Sequence, residues 1–270
     1  MTKSKINLCP IGIFDSGIGG LTVVREILRE LPNENIIYLG DTARVPYGTK
    51  SSKTVIAYSQ SNSSFLVSKE IKLLVVACNT ASAVALPSLR WDFEIPIIGV
   101  IEPGARKAVR TTQARKVGVI GTPSTIKSNA YKKAIESIAP EIKVYSKACP
   151  LFVPIAEEGW TDGEIAQLTA NNYLETFKES GIDVLILGCT HYPLLKPIIQ
   201  KVMGDDVTLV DSAEETALEI MRVLEENAIS NKNSSPPQIE FYLTDVSETF
   251  ISIAARFLGK EIQQVEQIDL

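Results

Sequence analysis

Short runs of branched apolar residues recur along the chain, each closed by a small or polar residue and followed by an amphipathic stretch. Ile11–Asp15 and Ile36–Gly40 are the first two, and Leu73–Ala77 and Pro96–Val100 complete a set of four. Runs with no polar alternation read as strands buried on both faces, which is the pattern of a parallel sheet. Between them, Leu21, Val24, Ile27, Leu28 and Leu31 fall on one helical face that Pro32 ends. Ser51–Glu70 reads as a second helix, and Thr80–Trp91 as a third with a break at Pro87. The segment from Asp41 to Gly48 between the second strand and second helix is a Pro/Gly loop.

The pattern then starts again. Val117–Gly121 echoes Ile11–Asp15, Ile142–Tyr145 echoes Ile36–Leu39, Val184–Cys189 echoes Leu73–Cys78, and Val207–Asp211 echoes Pro96–Val100. Four strands repeating in order point to an internal duplication, with five residues added in the second copy. Strands alternating with helices predict an α/β fold of two similar doubly wound parallel-sheet domains. The tail carries a helix at Ala213–Asn227, a polar linker at Asn231–Pro237, a strand at Ile239–Thr244 and a helix at Glu248–Leu258. Its return to the first copy would make that domain discontinuous: residues 1–100 plus 211–270, with 101–210 as the second domain. Two such domains facing each other create a cleft, a common place for a ligand.

Bulk properties narrow the setting. The chain has 270 residues, 45% of them hydrophobic and 22% charged, as expected of a globular protein with a substantial core. A net charge of −5 without a long basic run argues against nucleic acid as the main partner. Met1–Pro10 has Lys3 and Lys5 but no apolar core of signal-peptide length, and no run approaches the ~20 residues of a membrane span. The four cysteines are scattered without a C-x-x-C pair, which favours neither a disulfide framework nor a zinc ribbon. The expectation is a cytoplasmic protein with reduced thiols and no membrane association.

Two of those thiols occupy equivalent places. Cys78 and Cys189 each follow a repeated strand directly, where open parallel sheets keep their ligand crevice. Cys9 and Cys149 have no such context and read as small core residues. A free thiol is only about 3% ionised at neutral pH, so it needs a base or a positive field to act. His191, the single histidine, lies two residues beyond Cys189 and suits the role of general acid/base for that thiol. With no second histidine and no nearby run of carboxylates, a metal is not expected. Backbone N–H groups around Thr80 and after Thr190 are placed to hold a thiolate or a bound carboxylate.

Asp15 closes the first strand, in the same sheet as Cys78. A carboxylate there disfavours the thiolate, so its useful roles are to accept the thiol proton or to hold a substrate ammonium. A turn or N-cap aspartate is the plainer alternative. The turn Asp15-Ser-Gly-Ile-Gly-Gly20 resembles a phosphate loop only loosely, because Thr22 stands where the dinucleotide fingerprint has glycine. Glu157 and Glu158 are adjacent carboxylates that spacing alone leaves as solvated surface.

Phe14-Asp-Ser-Gly-Ile-Gly-Gly-Leu21, Gly40-Asp-Thr-Ala-Arg-Val-Pro-Tyr-Gly-Thr49, Ala77-Cys-Asn-Thr-Ala81 and Gly188-Cys-Thr-His-Tyr-Pro193 together resemble glutamate racemase. Cys149-Pro-Leu-Phe-Val-Pro154 with the glutamates after it fits as well, and the resemblance runs from about Ile11 to Leu258. One departure is Leu243-Thr-Asp-Val-Ser247, where the family usually has glycine before the aspartate. The resemblance implies cofactor-independent interconversion of L- and D-glutamate, which supplies D-glutamate for peptidoglycan. It implies that Cys78 and Cys189 are acid/base thiols on opposite faces of the substrate Cα, assisted by Asp15 and His191 respectively. Ser16, Tyr47, Gly48, Asn79, Thr80 and Thr190 would bind substrate with Asp15 and His191. Glu157 would be an accessory catalytic residue, or Glu158 if the register slips by one. A homodimer is a further expectation from the family alone.

Three other readings compete. A relative on the same scaffold could isomerise, racemise or decarboxylate another small dicarboxylic acid, though such relatives need not keep both cysteines. A two-lobed amino-acid-binding protein without chemistry leaves the paired strand-end thiols unexplained. A Cys-His hydrolase leaves Cys78 without a role.

Overall fold

The computed structural model describes residues 6–233, 236–262 and 264–270. Two parallel sheets form its frame. The first has the order β10-β9-β2-β1-β3-β4, built from β1 (Ile11–Asp15), β2 (Ile36–Gly40), β3 (Leu73–Val76), β4 (Ile97–Gly99), β9 (Ile239–Leu243) and β10 (Glu266–Gln267). The second has the order β6-β5-β7-β8, from β5 (Lys116–Gly121), β6 (Lys143–Ala148), β7 (Val184–Gly188) and β8 (Thr208–Asp211). The repeated strands thus run in the same spatial order in both sheets, and every pairing is parallel. These are two α/β domains with one topology. The central strands β1, β3 and β7 are buried along their whole length, as their unbroken apolar runs require.

The duplication extends to packing. Gly12 and Gly118 hold matching positions in β1 and β5, and a Cβ on either would collide with an isoleucine, Ile71 at 2.6 Å or Ile182 at 2.5 Å. Those isoleucines hold matching positions just before β3 and β7. Only a residue without a side chain admits that approach.

The strand registers amend the repeat read from sequence. Val144 pairs with Val117 as Ile36 pairs with Ile11, so the second-copy strand begins at Lys143 and runs on to Ala148 rather than spanning Ile142–Tyr145. Leu209 pairs with Leu185 as Ile97 pairs with Leu74, one residue away from the match expected. Apolar runs this short can slide against each other without losing their pattern, and only the ladder fixes the register. The break expected at Pro87 falls at Ala85, which separates the Asn79–Val84 and Leu86–Asp92 helices. Proline is at home in the first turn of the second helix, where its missing N–H costs no bond. The helix expected at Ser51–Glu70 spans Ser52–Ser68, with the Ser51 hydroxyl accepting the Thr54 N–H as its cap.

The tail returns to the first sheet. β9 pairs with β2 along Ile36–Gly40, and the short β10, which the periodicity does not reveal, pairs with β9. In the polar linker before β9, Ser234 and Ser235 lie outside the described residues, as do residues 1–5 at the amino end and Gln263 before β10. The Ser212–Glu226 helix packs against both Leu21–Glu30 and Ile101–Thr111. One continuous apolar cluster joins residues of both sheets, including Ile13 and Val75 with Leu185 and Leu187, while separate clusters fill the outer face of each sheet. Among the described residues no helix is long and apolar enough to cross a membrane.

Candidate active site

The carboxyl ends of β1, β3 and β7 converge on one cavity of about 230 Å³, below the size typical of drug-sized ligand sites and suited to a small molecule. Its wall includes Ser16, Cys78, Asn79, Thr80, Glu157, Cys189, Thr190 and His191. Cys78 comes from the first sheet and Cys189 from the second, each one or two residues past its strand and almost fully buried. The repeated unit therefore brings one thiol to the cavity from each domain. Cys149 is buried elsewhere in the core, and Cys9 is half-buried.

The two thiols have different surroundings. The Cys78 Sγ donates toward Ser16 Oγ at 3.6 Å. Burial pushes this thiol up to about 12, Asp15 adds to the rise, and the Ala81 N–H at the start of the following helix opposes it. Asp15 is fully buried, with Oδ2 accepting the Gly17 N–H at 3.0 Å and Oδ1 finding no hydrogen-bond partner among the described residues. Burial raises its pKa, against the lowering effect of His191 and nearby backbone N–H groups. A buried carboxyl with a raised pKa and a spare oxygen can take up a proton.

Cys189 Sγ lies 3.8 Å from His191 Nδ1, and the opposite ring nitrogen, Nε2, is 3.0 Å from Glu157 Oε1. Burial works against a charged ring, but Cys189 and Glu157 outweigh it and push His191 up to about 10. The ring is thus an imidazolium at neutral pH, which is the counter-ion a thiolate needs. The Phe257 ring packs against it in an edge-to-face arrangement, 5.2 Å between centroids. Glu157 is the carboxylate that reaches the histidine, while Glu158 caps the Phe152–Glu157 helix and faces solvent.

The remaining expected residues divide. Asn79 and Thr80 line the cavity and also tie the two domains together. Tyr131 donates to Asn79 Oδ1 at 2.6 Å, and Thr80 Oγ1 lies 3.0 Å from Thr122 Oγ1. Thr190 lines the cavity, and its carbonyl accepts the Thr22 hydroxyl at 3.0 Å. Tyr47 is buried beside the cavity with its hydroxyl donated to Asp41 Oδ2 and accepting from Asn62 Nδ2 at 3.1 Å. Gly48 faces a neighbouring groove, and a Cβ there would lie 2.9 Å from Thr122. Wall residues that sequence reasoning passes over include Thr42, Thr122, Asp245, Phe250 and Ile253. The duplication holds the signal for Thr122, which follows β5 as Ser16 follows β1. Among the described residues no cluster of His, Cys, Asp and Glu could hold a metal ion.

A two-domain α/β scaffold with a buried thiol from each domain on one small cavity, one of them beside an imidazolium, has the groups that acid–base chemistry on a small molecule requires. The family model for Asp/Glu/Hydantoin racemase matches residues 11–220, and the chain belongs to that family. It is 56% identical over 260 residues to a glutamate racemase of Geobacter metallireducens, covering 96% of each chain. Its fold superimposes with a TM-score of 0.92 on Francisella tularensis glutamate racemase in complex with D-glutamate, at 43% identity over 97% of this chain and 98% of that one. The Escherichia coli glutamate racemase, solved with L-glutamate and the activator UDP-MurNAc-ala, matches with a TM-score of 0.80 and 29% identity, again over 97% and 98%.

Proposed function

We propose that the chain is a glutamate racemase that uses Cys78 and Cys189 as its two acid/base groups and needs no pyridoxal. The observation that carries this reading is the pair of strand-end thiols, one from each domain, on the wall of a single small cavity. Relatives named glutamate racemase across nearly the full chain, two of them holding D- or L-glutamate, support the substrate.

Racemisation removes the α-proton from one face of Cα and returns a proton to the other, so it requires a base and an acid of matched strength on opposite sides. In one direction Cys189, as thiolate beside the His191 imidazolium, takes the proton, and the neutral Cys78 thiol supplies one from the far side. In the other direction Cys78, after its thiol proton passes to Asp15, takes the α-proton, and Cys189, protonated from the neighbouring His191 imidazolium, returns one on the opposite face. Ser16, Asn79, Thr80 and Thr190 offer hydroxyl, amide and backbone N–H groups to the substrate's polar ends, while Tyr47 and Gly48 shape the loop beside them. The thiols, Asn79, Thr80 and Thr190 are almost fully buried, and in such surroundings fixed dipoles stabilise a carbanion-like state more strongly than water would. Glu157 fixes the ring and charge of His191. The division into 1–100 plus 211–270 and 101–210 assigns one catalytic thiol to each domain. The physiological role consistent with this chemistry is cytoplasmic supply of D-glutamate for peptidoglycan.

Wild-type protein incubated with L- or D-glutamate in D2O, without added cofactor, is expected to exchange the α-proton for deuterium as the circular dichroism signal decays to zero. Glutamate bound without exchange would move the assignment to a binding protein, and exchange confined to another dicarboxylic amino acid would move it to a relative's activity. A second expectation concerns pH. His191 is charged below about 10 because Cys189 and Glu157 overcome its burial. Removing the Glu157 charge lowers that value, so the alkaline limb of kcat/KM against pH shifts toward neutrality in Glu157→Gln. A limb that stays in place would show that Glu157 does not tune the histidine.

A further inference from the structure

The tail of the chain, beyond the residues matched by the family model, supplies one wall of the cavity: Asp245, Ser247, Phe250 and Ile253. A second wall comes from the loop after β2, through Thr42, Val45 and Pro46. These segments are about two hundred residues apart in sequence and are joined by a compact set of hydrogen bonds. Thr42 Oγ1 donates to the Asp245 carbonyl at 2.5 Å and accepts the Asp245 N–H at 2.9 Å. Thr244 Oγ1 accepts the Ala43 N–H at 2.9 Å and donates to Asp41 Oδ1 at 3.0 Å.

Asp41 is the hub. It is fully buried and contributes nothing to the cavity wall, yet its two oxygens gather the whole loop. Arg44 Nε reaches Oδ1 at 2.7 Å and Oδ2 at 2.8 Å, and Tyr47 donates its hydroxyl to Oδ2. Arg44 continues to Asn62 Oδ1 at 2.8 Å, and Asn62 returns to the Tyr47 hydroxyl at 3.1 Å. Burial, with Asp41 adding to it, raises the Tyr47 phenol and keeps it a neutral donor. A buried carboxylate met by a guanidinium and two hydroxyls forms strong, charge-assisted bonds that fix the loop in one geometry. Thr244 is the only link in this set with a hydroxyl that both donates to the hub and receives from the loop backbone.

We propose that Asp41 and Thr244 are positioning residues for substrate binding: they lock the Thr42–Pro46 wall to the Asp245–Ile253 wall and so set the width of the cavity around glutamate. This rests on the glutamate reading above. The walls they hold do not include the thiols or Asp15, so their contacts act on bound substrate and on the transition state alike. Loss of such uniform binding raises KM and leaves kcat in place.

The test compares wild type, Thr244→Val and Thr244→Ser in glutamate racemisation, with a thermal melt on each. Valine keeps the branched shape and removes the hydroxyl, whereas serine keeps the hydroxyl and removes the methyl. The expected result is a KM about tenfold higher in T244V, equal to about 1.4 kcal/mol, with kcat within about twofold of wild type and a near-normal KM in T244S. Asp41→Asn is expected to raise KM further, and T244V carries the test if that variant does not fold. A T244V enzyme with wild-type KM overturns the proposal, even if its melting temperature falls, because a merely structural clamp would lower only the latter. An equal rise in KM in T244S overturns it too, by assigning the effect to the methyl. Wild-type protein inert toward glutamate defeats the substrate reading instead, which keeps the two failures apart.

Discussion

Cys78→Ala and Cys189→Ala are each expected to lose racemisation by about 10³-fold, within the 10²–10⁴ that a positioned acid or base contributes. The reason is geometric: each thiol is the one sulfur its domain brings to the cavity wall, and neither can serve both faces of one carbon. The two variants differ in what they retain. With Cys78 gone, Cys189 and the His191 imidazolium remain at 3.8 Å, so the variant keeps α-proton exchange on one face without inversion. With Cys189 gone, the remaining thiol is the one that burial and Asp15 push up to about 12, and exchange should fall further. Deuterium incorporation measured separately for each enantiomer distinguishes one-sided exchange from racemisation. Full-rate inversion by either variant would end the two-thiol scheme, whatever the substrate.

Gly19→Ala is the second change with a large expected effect, although Gly19 bears no functional group. A Cβ at this position would stand 2.2 Å from Thr190 Oγ1 and 2.5 Å from His191 Nδ1. Contacts that short do not persist, so the Cys189-Thr190-His191 segment must retreat from the first domain. The adjoining Thr22 hydroxyl, which ties the Thr190 carbonyl to the first domain, is strained by the same movement. A displacement of about 1 Å in a reacting constellation can cost on the order of 10²-fold in rate. The expected result is kcat lowered about a hundredfold with far-ultraviolet circular dichroism unchanged. Unaltered kcat would mean that the histidine loop has slack that the packing does not show.

The strands and their duplication are legible in the sequence because strands buried on both faces leave no room for polar alternation. The equivalence of Cys78 and Cys189 follows from the same repeat. Register is not legible: Val144 and Leu209 take the places expected for other residues because short apolar runs resemble each other when shifted. The cavity wall is legible only where a residue directly follows a strand. Ser16, Cys78 and Cys189 lie within two residues of a strand end, and Thr122 stands out only once β5 is matched to β1, whereas Phe250, Ile253 and Asp245 reach the site through the tail's return to β2. No local pattern announces such a return. The pairing of Tyr47 with Asp41 is hidden for a similar reason, since the sequence shows a tyrosine in a loop but not which way its hydroxyl is spoken for.

The unequal neighbours of the two thiols carry a consequence for the cycle as a whole. The site holds a proton on Cys78, beside a buried carboxyl, and a positive ring next to Cys189. In the proposed two-thiol scheme a turnover begun by the Cys189 thiolate ends with Cys189 protonated and Cys78 as the thiolate, so product departs from a site that is the inverse of the one that bound substrate. The protein then retains a record of the enantiomer it last processed until solvent erases it. That erasure has to pass protons to sulfurs that are almost fully buried. At high concentrations of one enantiomer the slow event shifts from breaking a carbon–hydrogen bond to forgetting the previous turn.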